Sequence, residues 1–279
     1  DCIGKVSGSD GFSISNSDKE LFNESVTKLE KHWREVSHAI QASRDNQSIA
    51  DSELDLLEDK THLGLFAEES FDEKIFETFN IKQSKPKVAI LREQGVNGQM
   101  EMAAAFTLAG FDAVDVHVQA LVDNNVKLKD IIPDAEYWPS FEKNLSDQFE
   151  ARLAQVKVKK SNSILLSDME GWSIPIASAH GEGHARFEEN DFEKLVNSNQ
   201  VAMNFVDSNG LNTENYPLNP NGSVEGVTGI TAADGRVTIM MPHPERVFRK
   251  LQMSWHPDHW KEYSPWMQIF INAMKFTKD

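Results

Sequence analysis

Apolar residues recur at helical spacing near the start of the chain and predict one amphipathic helix over residues 18–44. Ser17 and Glu20 form a capping-box pattern that favours a helix start at this point. Residues 47–85 are acidic and end in a polar stretch, which indicates a linker. The apolar face comprises Leu21, Phe22, Val26, Leu29, Trp33, Val36 and Ile40, and we interpret it as core or docking surface.

The pattern changes at Pro86, where short apolar runs take over. Residues 87–91 and 113–118 are predicted strands, and residues 99–108 between them are a predicted helix that Gly110 stops. This order is typical of a βαβ unit with parallel strands. Asp234-Gly235 indicates a hairpin turn. Further strand-like runs cover residues 153–158, 174–177, 201–206, 226–232 and 237–241. The chain therefore belongs to the α/β class.

Composition narrows the classes of function. The 279 residues carry 44 acidic and 28 basic side chains, a formal charge of −16 that disfavours nucleic acid and anionic membrane surfaces as partners. Cys2 is the single cysteine, which excludes an internal disulfide and suits a reducing, cytoplasmic address. No apolar run approaches the length of a membrane span. Because the first residue is Asp1, we expect the chain to be part of a longer one.

Histidine and carboxylate pairs are the candidate chemical groups. His243 and Glu245 flank Pro244, and an extended backbone would place both side chains on one side. His180 and His184 have the spacing of a helical metal-ligand pair, but the two glycines between them favour a loop, so we expect no metal there. His256 and His259 also look metal-like, although Pro257 and the flanking tryptophans favour a packed loop.

Long motifs resemble the glutaminase domain at the carboxy-terminal end of the large phosphoribosylformylglycinamidine synthase. They cover nearly all of residues 86–279, and residues 1–85 resemble the end of the synthetase part and its linker. The motifs include residues 86–97 (PKVAILREQGVN), 144–152 (NLSDQFEAR), 180–183 (HGEG), 216–222 (YPLNPNG) and 241–248 (MPHPERVF). The resemblance implies a class I glutamine amidotransferase-like fold, with a mostly parallel central sheet flanked by helices.

The resemblance also implies roles for individual residues. His243 would be the general base and Glu245 the group that orients it. The glutamine site would include Gln94, Gly95, Asn97, His180 and Glu182. Glutamine and a synthetase domain of the same enzyme would be the partners. ATP and Mg²⁺ serve the full-length family enzyme, and no cofactor is expected in this chain.

The nucleophile of the resembled family is missing. In that family a cysteine lies on a strand-to-helix elbow between the second strand and the Ile132-Pro133 segment, whereas no cysteine lies between Val118 and Pro133 here. We therefore expect an internal deletion that removes central strands of the sheet. Two functions stay open: an active glutaminase that supplies ammonia, and a non-catalytic docking module that only packs against a synthetase domain.

Overall fold

The computed structural model describes residues 3–78, 85–92, 96–124, 132 and 135–278. The chain divides into two compact units, Asp1–Leu63 and Gly64–Asp279. The sequence suggested a boundary near residue 85, so residues 64–78 of the expected linker belong with the second unit. The assignment of residues 1–85 to a synthetase end and its linker stays a prediction.

The first unit starts with a hairpin in which strand β1 (Gly11–Asn16) pairs antiparallel with strand β2 (Lys19–Ser25). The predicted helix start at residue 18 is therefore wrong. Residues 19–25 extend because they pair with β1 and because the Phe12 and Phe22 rings pack edge to face, 6.1 Å apart.

Helix α1 (Val26–Arg44) begins where the hairpin ends. Its N-cap is Ser25, whose side chain accepts a hydrogen bond from the backbone N–H of Lys28, so Ser17 does not cap it. Helix α2 (Gln47–Asp55) and a 3₁₀ turn (Leu56–Glu58) follow and complete the unit.

The second unit starts with residues 64–78, which include a 3₁₀ segment (Glu73–Thr78), and continues after the gap with the predicted βαβ arrangement. Strand β3 (Lys87–Arg92), helix α3 (Gln99–Leu108) and strand β4 (Asp112–His117) follow in order, and β3 and β4 pair in parallel. Gly110 has φ +100° at the end of α3, where a side chain would strain the backbone. A short helix α4 (Gln119–Asp123) follows β4.

A five-stranded sheet forms the centre of the second unit, in the order β11-β10-β9-β6-β7. Its strands are β6 (Glu150–Val158), β7 (Ser173–His180), β9 (Val201–Phe205), β10 (Val227–Thr231) and β11 (Thr238–Met240). A small separate sheet pairs β5 (Ser140–Glu142) with β8 (His184–Arg186). The five predicted strand runs and the Asp234-Gly235 hairpin turn are thereby confirmed, with ends shifted by a few residues.

The direction of pairing in the sheet differs from the expected, mostly parallel arrangement. All pairings within the five-stranded sheet are antiparallel, and parallel pairing in the described part of the chain is confined to β3 and β4. Only six residues join β10 to β11, which is too few for the crossover that parallel neighbours need. The α/β class itself is confirmed.

The core lies between this sheet and the carboxy-terminal helix α6 (Met267–Phe276). Helix α5 (Asp191–Asn197) borders a smaller cluster around Leu195. Phe270 of α6 is buried and packs edge to face on Phe106 of α3 at 5.0 Å, which ties the βαβ arrangement to the sheet. Across the described residues, no helix combines the length and apolar character that crossing a membrane requires.

Candidate active site

The sheet and a 3₁₀ turn position His243 and Glu245. The backbone N–H of His243 donates to the carbonyl of Ala177 on β7 at 2.8 Å, which fixes the histidine beside the sheet. Pro244–Arg246 then forms a 3₁₀ turn, so the segment is not extended throughout as the sequence suggested. The turn still brings the two side chains together, with His243 Nδ1 2.8 Å from Glu245 Oε1. A carboxylate at this distance orients an imidazole ring and fixes which nitrogen carries the proton.

Glu245 is held in a buried position by the loop before α3. Its side chain is 6% exposed, and Arg246 Nε lies 3.8 Å from Glu245 Oε1. Arg246 also donates to the side-chain oxygen of Asn97. A Cβ on Gly98 would lie 3.0 Å from Glu245 Oε1. The structure therefore brings Asn97 beside Arg246, the residue after Glu245, while Gln94 and Gly95 fall outside the described residues.

His180 lies at the end of β7, and its ring centre is 6.4 Å from that of His243. Its Nε2 is 2.6 Å from Asn221 Oδ1 and 3.3 Å from Ser178 Oγ. Burial lowers the pKa of His180 below its ordinary value because the charged ring would lose hydration, and the hydrogen bond that His180 Nε2 donates to Asn221 Oδ1 only partly offsets this. His180 is therefore a neutral hydrogen-bonding group at neutral pH.

Asn144 shapes the loop after His180. Its side-chain amide donates to the His180 carbonyl at 2.8 Å, and its side-chain oxygen accepts from the Gly183 backbone at 2.9 Å. A Cβ on Gly183 would lie 2.4 Å from His180 Nε2 and 2.8 Å from Asn221 Cγ, so this position requires glycine. We assigned no role to Asn144, Asn221 or Gly183 from the sequence, although all three lie in or beside the quoted motif segments.

A buried carboxylate faces the same region from β6. Glu150 is 1% exposed and is the register partner of His180 in the β6–β7 ladder. Arg152 Nε pairs with Glu150 Oε2 at 2.8 Å, and Arg152 also donates to the Tyr216 hydroxyl. Glu182 is exposed, and in the described part of the chain it takes part in none of these hydrogen bonds. The structure thus assembles His180, His243, Glu245 and Asn97, whereas Glu182 lies at the surface.

The histidines considered for metal binding have other contacts. His180 and His184 lie on β7 and β8 with a loop between them, as the two glycines indicated. His256 Nδ1 is 3.0 Å from the Pro257 carbonyl, and His259 Nε2 is 3.1 Å from Glu69 Oε1. Over the described ranges, no cluster of three or more His, Cys, Asp or Glu side chains has a metal-binding arrangement.

Comparison with known proteins identifies the domain. A family model described as the CobB/CobQ-like glutamine amidotransferase domain matches residues 85–133 and 129–277. The chain belongs to this family. The amidotransferase domain also resembles a solved structure titled "Structure of PurLQS from Thermotoga maritima", with a TM-score of 0.53 and 17% identity. The match covers 70% of this chain and 100% of that one, and at this identity it concerns the fold, which confirms the expected amidotransferase-like architecture.

The amidotransferase domain carries no thiol. Cys2 is the single cysteine of the sequence and belongs to the first compact unit. The segment where the sequence analysis expected a nucleophile elbow runs from Val118 to Pro133. Its first part contains helix α4, and residues 125–131 and 133 lie outside the described residues.

Proposed function

We propose that the chain is the glutaminase end of a phosphoribosylformylglycinamidine synthase that retains the base of the reaction but does not hydrolyse glutamine. The observation that carries this proposal is the His243–Glu245 pair, 2.8 Å apart, in an amidotransferase domain without cysteine. The role in purine biosynthesis rests on the motif resemblance and on the fold shared with PurLQS from Thermotoga maritima.

The mechanism of amide hydrolysis explains why the missing cysteine would abolish glutaminase activity. In covalent amide hydrolysis a thiolate attacks the amide carbon, the C–N bond breaks, and the imidazolium gives its proton to the departing ammonia. Water then hydrolyses the thioester. His243 and Glu245 would supply the base and its orienting group, but the amidotransferase domain has no thiol to form the acyl-enzyme. Loss of a covalent nucleophile costs on the order of 10⁶-fold in kcat in a well-studied serine protease.

Two observations support an internal deletion as the cause. The family model matches in two segments that meet at residues 129–133, close to the expected position of the elbow. In the described residues, β3 and β4 form a two-stranded sheet that is separate from the five-stranded sheet. Loss of the strands that would otherwise connect the two sheets accounts for both.

The glutamine site in this proposal comprises Gln94, Gly95, Asn97, His180 and Glu182. Asn97 lies beside Arg246, and His180 lies beside His243, so both can contact a ligand next to the base. ATP and Mg²⁺ of the full-length enzyme would bind in its synthetase part. The partners would be glutamine and that synthetase domain, in the cytoplasm.

Glutamate release from glutamine tests the proposal directly. Purified chain incubated with glutamine should release no glutamate above the buffer background, and His243→Ala should leave this result unchanged. Release that His243→Ala abolishes would refute the inactive assignment. Cys2→Ser serves as a matched variant, since loss of such release in Cys2→Ser would identify Cys2 as the nucleophile.

A non-catalytic docking module is the alternative function that follows from an inactive site. In this case the chain should bind a phosphoribosylformylglycinamidine synthetase domain with or without glutamine present. Isothermal titration calorimetry of the chain with that domain measures this, and an absence of binding would exclude the docking role while leaving the glutaminase assay unaffected.

A further inference from the structure

A cavity of about 540 Å³ in the second unit is lined by residues of helix α5, strand β9 and the segment after β6. Its volume lies within the range of about 300–1,000 Å³ that is typical of small-molecule sites. Lys159 and Lys160 of its lining follow the end of β6, whereas His180 pairs with Glu150 at the beginning of that strand. Strand β6 has nine residues, so its ends are about 26 Å apart. The cavity is therefore separate from the candidate active site.

A buried carboxamide in the cavity wall has an acceptor that no protein group uses. Asn204 is 2% exposed, and its Nδ2 donates to the backbone carbonyl of Glu225 at 2.8 Å. This bond fixes the orientation of the amide, because the reverse orientation would place two oxygens against each other. Among the described residues, no donor contacts Asn204 Oδ1. Since a buried acceptor without a donor is destabilising, the wall favours a ligand that presents an N–H or O–H group here.

Two neighbouring lysines provide positive charge at the cavity. Lys159 is half-buried and Lys160 is exposed, and within the described part of the chain neither forms an ion pair. Adjacent ammonium groups without a carboxylate partner attract an anionic group such as a phosphate. The chain as a whole carries a formal charge of −16 and repels anions. An anion at this cavity therefore needs further contacts in addition to the two lysines.

The remaining wall combines apolar surface with a carboxylate. Phe192 of α5 is half-buried and Val201 of β9 is 8% exposed, and both line the cavity. A phenyl ring is a surface on which a flat heterocycle stacks. Glu225 also lines the cavity, and its Oε2 accepts from Asn212 Nδ2 at 3.3 Å. A carboxylate has several acceptor positions, so Glu225 can accept hydrogen bonds from ligand hydroxyl groups as well.

We propose that this cavity binds a nucleoside monophosphate whose base carries an exocyclic amino group. The phosphate would contact Lys159 and Lys160, and the base would lie against Phe192. The ribose hydroxyls would donate to Glu225, and the exocyclic amine would donate to Asn204 Oδ1. A free phosphate would use only the lysines, and an apolar compound only the apolar wall. A nucleotide uses all four features, and its binding does not depend on glutaminase activity.

Isothermal titration calorimetry of the full chain with adenosine monophosphate tests the proposal. We expect one site with a Kd on the order of 10–100 µM. Adenosine lacks the phosphate and inorganic phosphate lacks the base, so each should bind about tenfold more weakly or worse. Inosine monophosphate has a carbonyl oxygen in place of the exocyclic amine. This oxygen would face Asn204 Oδ1 without a proton between them, so inosine monophosphate should also bind about tenfold more weakly.

Lysine variants locate the binding site. Lys159→Ala and Lys160→Ala should each weaken the binding of adenosine monophosphate by about tenfold, because a charged hydrogen bond to the phosphate is lost. Both variants should leave the weak binding of adenosine unchanged. The matched control is Lys261→Ala, which removes an exposed lysine of the same unit that does not line the cavity and should leave all affinities unchanged. Circular dichroism checks that each variant keeps the fold of the parent.

Four results would overturn the proposal. The first is an absence of binding up to about 1 mM adenosine monophosphate. The second is equal affinity for inorganic phosphate, which would reduce the cavity to a simple anion site. The third is equal affinity for inosine monophosphate, which would assign Asn204 Oδ1 to a water molecule. The fourth is unchanged affinity in both Lys159→Ala and Lys160→Ala, which would place the nucleotide elsewhere on the chain.

Discussion

Replacing Gly183 with alanine should destabilise the loop that holds His180. The new Cβ would lie 2.4 Å from His180 Nε2, 2.5 Å from His180 Cδ2 and 2.8 Å from Asn221 Cγ. Side chains at these distances must move, and neither can do so freely. His180 is 9% exposed, Asn221 is fully buried, and the two are joined by a hydrogen bond of 2.6 Å.

The size of the effect follows from the two groups that must shift. Overpacking a buried site costs about 1–3 kcal/mol. A strained hydrogen bond between buried polar groups adds about 1–2 kcal/mol. We therefore expect Gly183→Ala to lower the free energy of unfolding by about 3 kcal/mol, or Tm by about 6–12 °C for a unit of this size.

Gly181→Ala is the matched control for this measurement. It makes the same chemical change two residues earlier, where the nearest atom to a new Cβ is a ring carbon of Phe149 at 3.9 Å, an ordinary contact. Both substitutions restrict the unfolded chain to the same degree, so their difference isolates the clash. Urea titration followed by circular dichroism gives both values. Equal free energies of unfolding for the two variants would refute the reasoning.

Two further predictions concern buried polar groups. The side chain of Glu69 is 6% exposed and accepts a hydrogen bond from Trp260 Nε1 at 3.0 Å. Glu69→Ala should therefore lower the free energy of unfolding, measured by urea titration, by about 1–3 kcal/mol, because the buried indole N–H loses its partner. The exposed Glu182→Ala is its control, and a similar loss in both variants would contradict this. His180→Gln should flatten the pH dependence of stability. Burial lowers the folded-state pKa of His180 below the unfolded value of about 6.5, so the unfolded chain binds more protons and stability falls as pH drops from about 6.5 through the folded value. Urea midpoints with the same acid slope in both proteins would disprove the assignment.

Local sequence patterns predicted the second unit better than the first. The β3–α3–β4 arrangement followed from apolar runs separated by a helix that Gly110 ends, and strand pairing agrees with this local preference. Residues 19–25 contain two apolar side chains, the adjacent Leu21 and Phe22, which are too few to distinguish a helix from a strand. These residues form a strand because they pair with β1. The pattern of a single segment cannot predict this, since it does not show which other segment it pairs with.

In the candidate site too, contacts between residues close in sequence were predictable, whereas contacts between distant residues were not. The contact between His243 and Glu245 was predictable because only one residue separates them. The contacts of His180 with Asn221, and of Asn144 with Gly183, join residues about 40 positions apart, so they depend on how β7 and its neighbours pack. The antiparallel direction of the five-stranded sheet was missed for a related reason, since the motif resemblance concerns segments and not the order in which strands pair.

The backbone hydrogen bond from His243 to Ala177 fixes the position of the candidate site independently of any ligand. The imidazole and its carboxylate take their alignment from the edge of a well-packed strand and from a proline turn, so no reacting partner is needed to keep them in place. Under the proposed role of His243 as general base, an enzyme engineer could use this domain as a scaffold in which the base is already oriented. Grafting a cysteine-bearing elbow would require building only the sulfur side of the catalytic machinery.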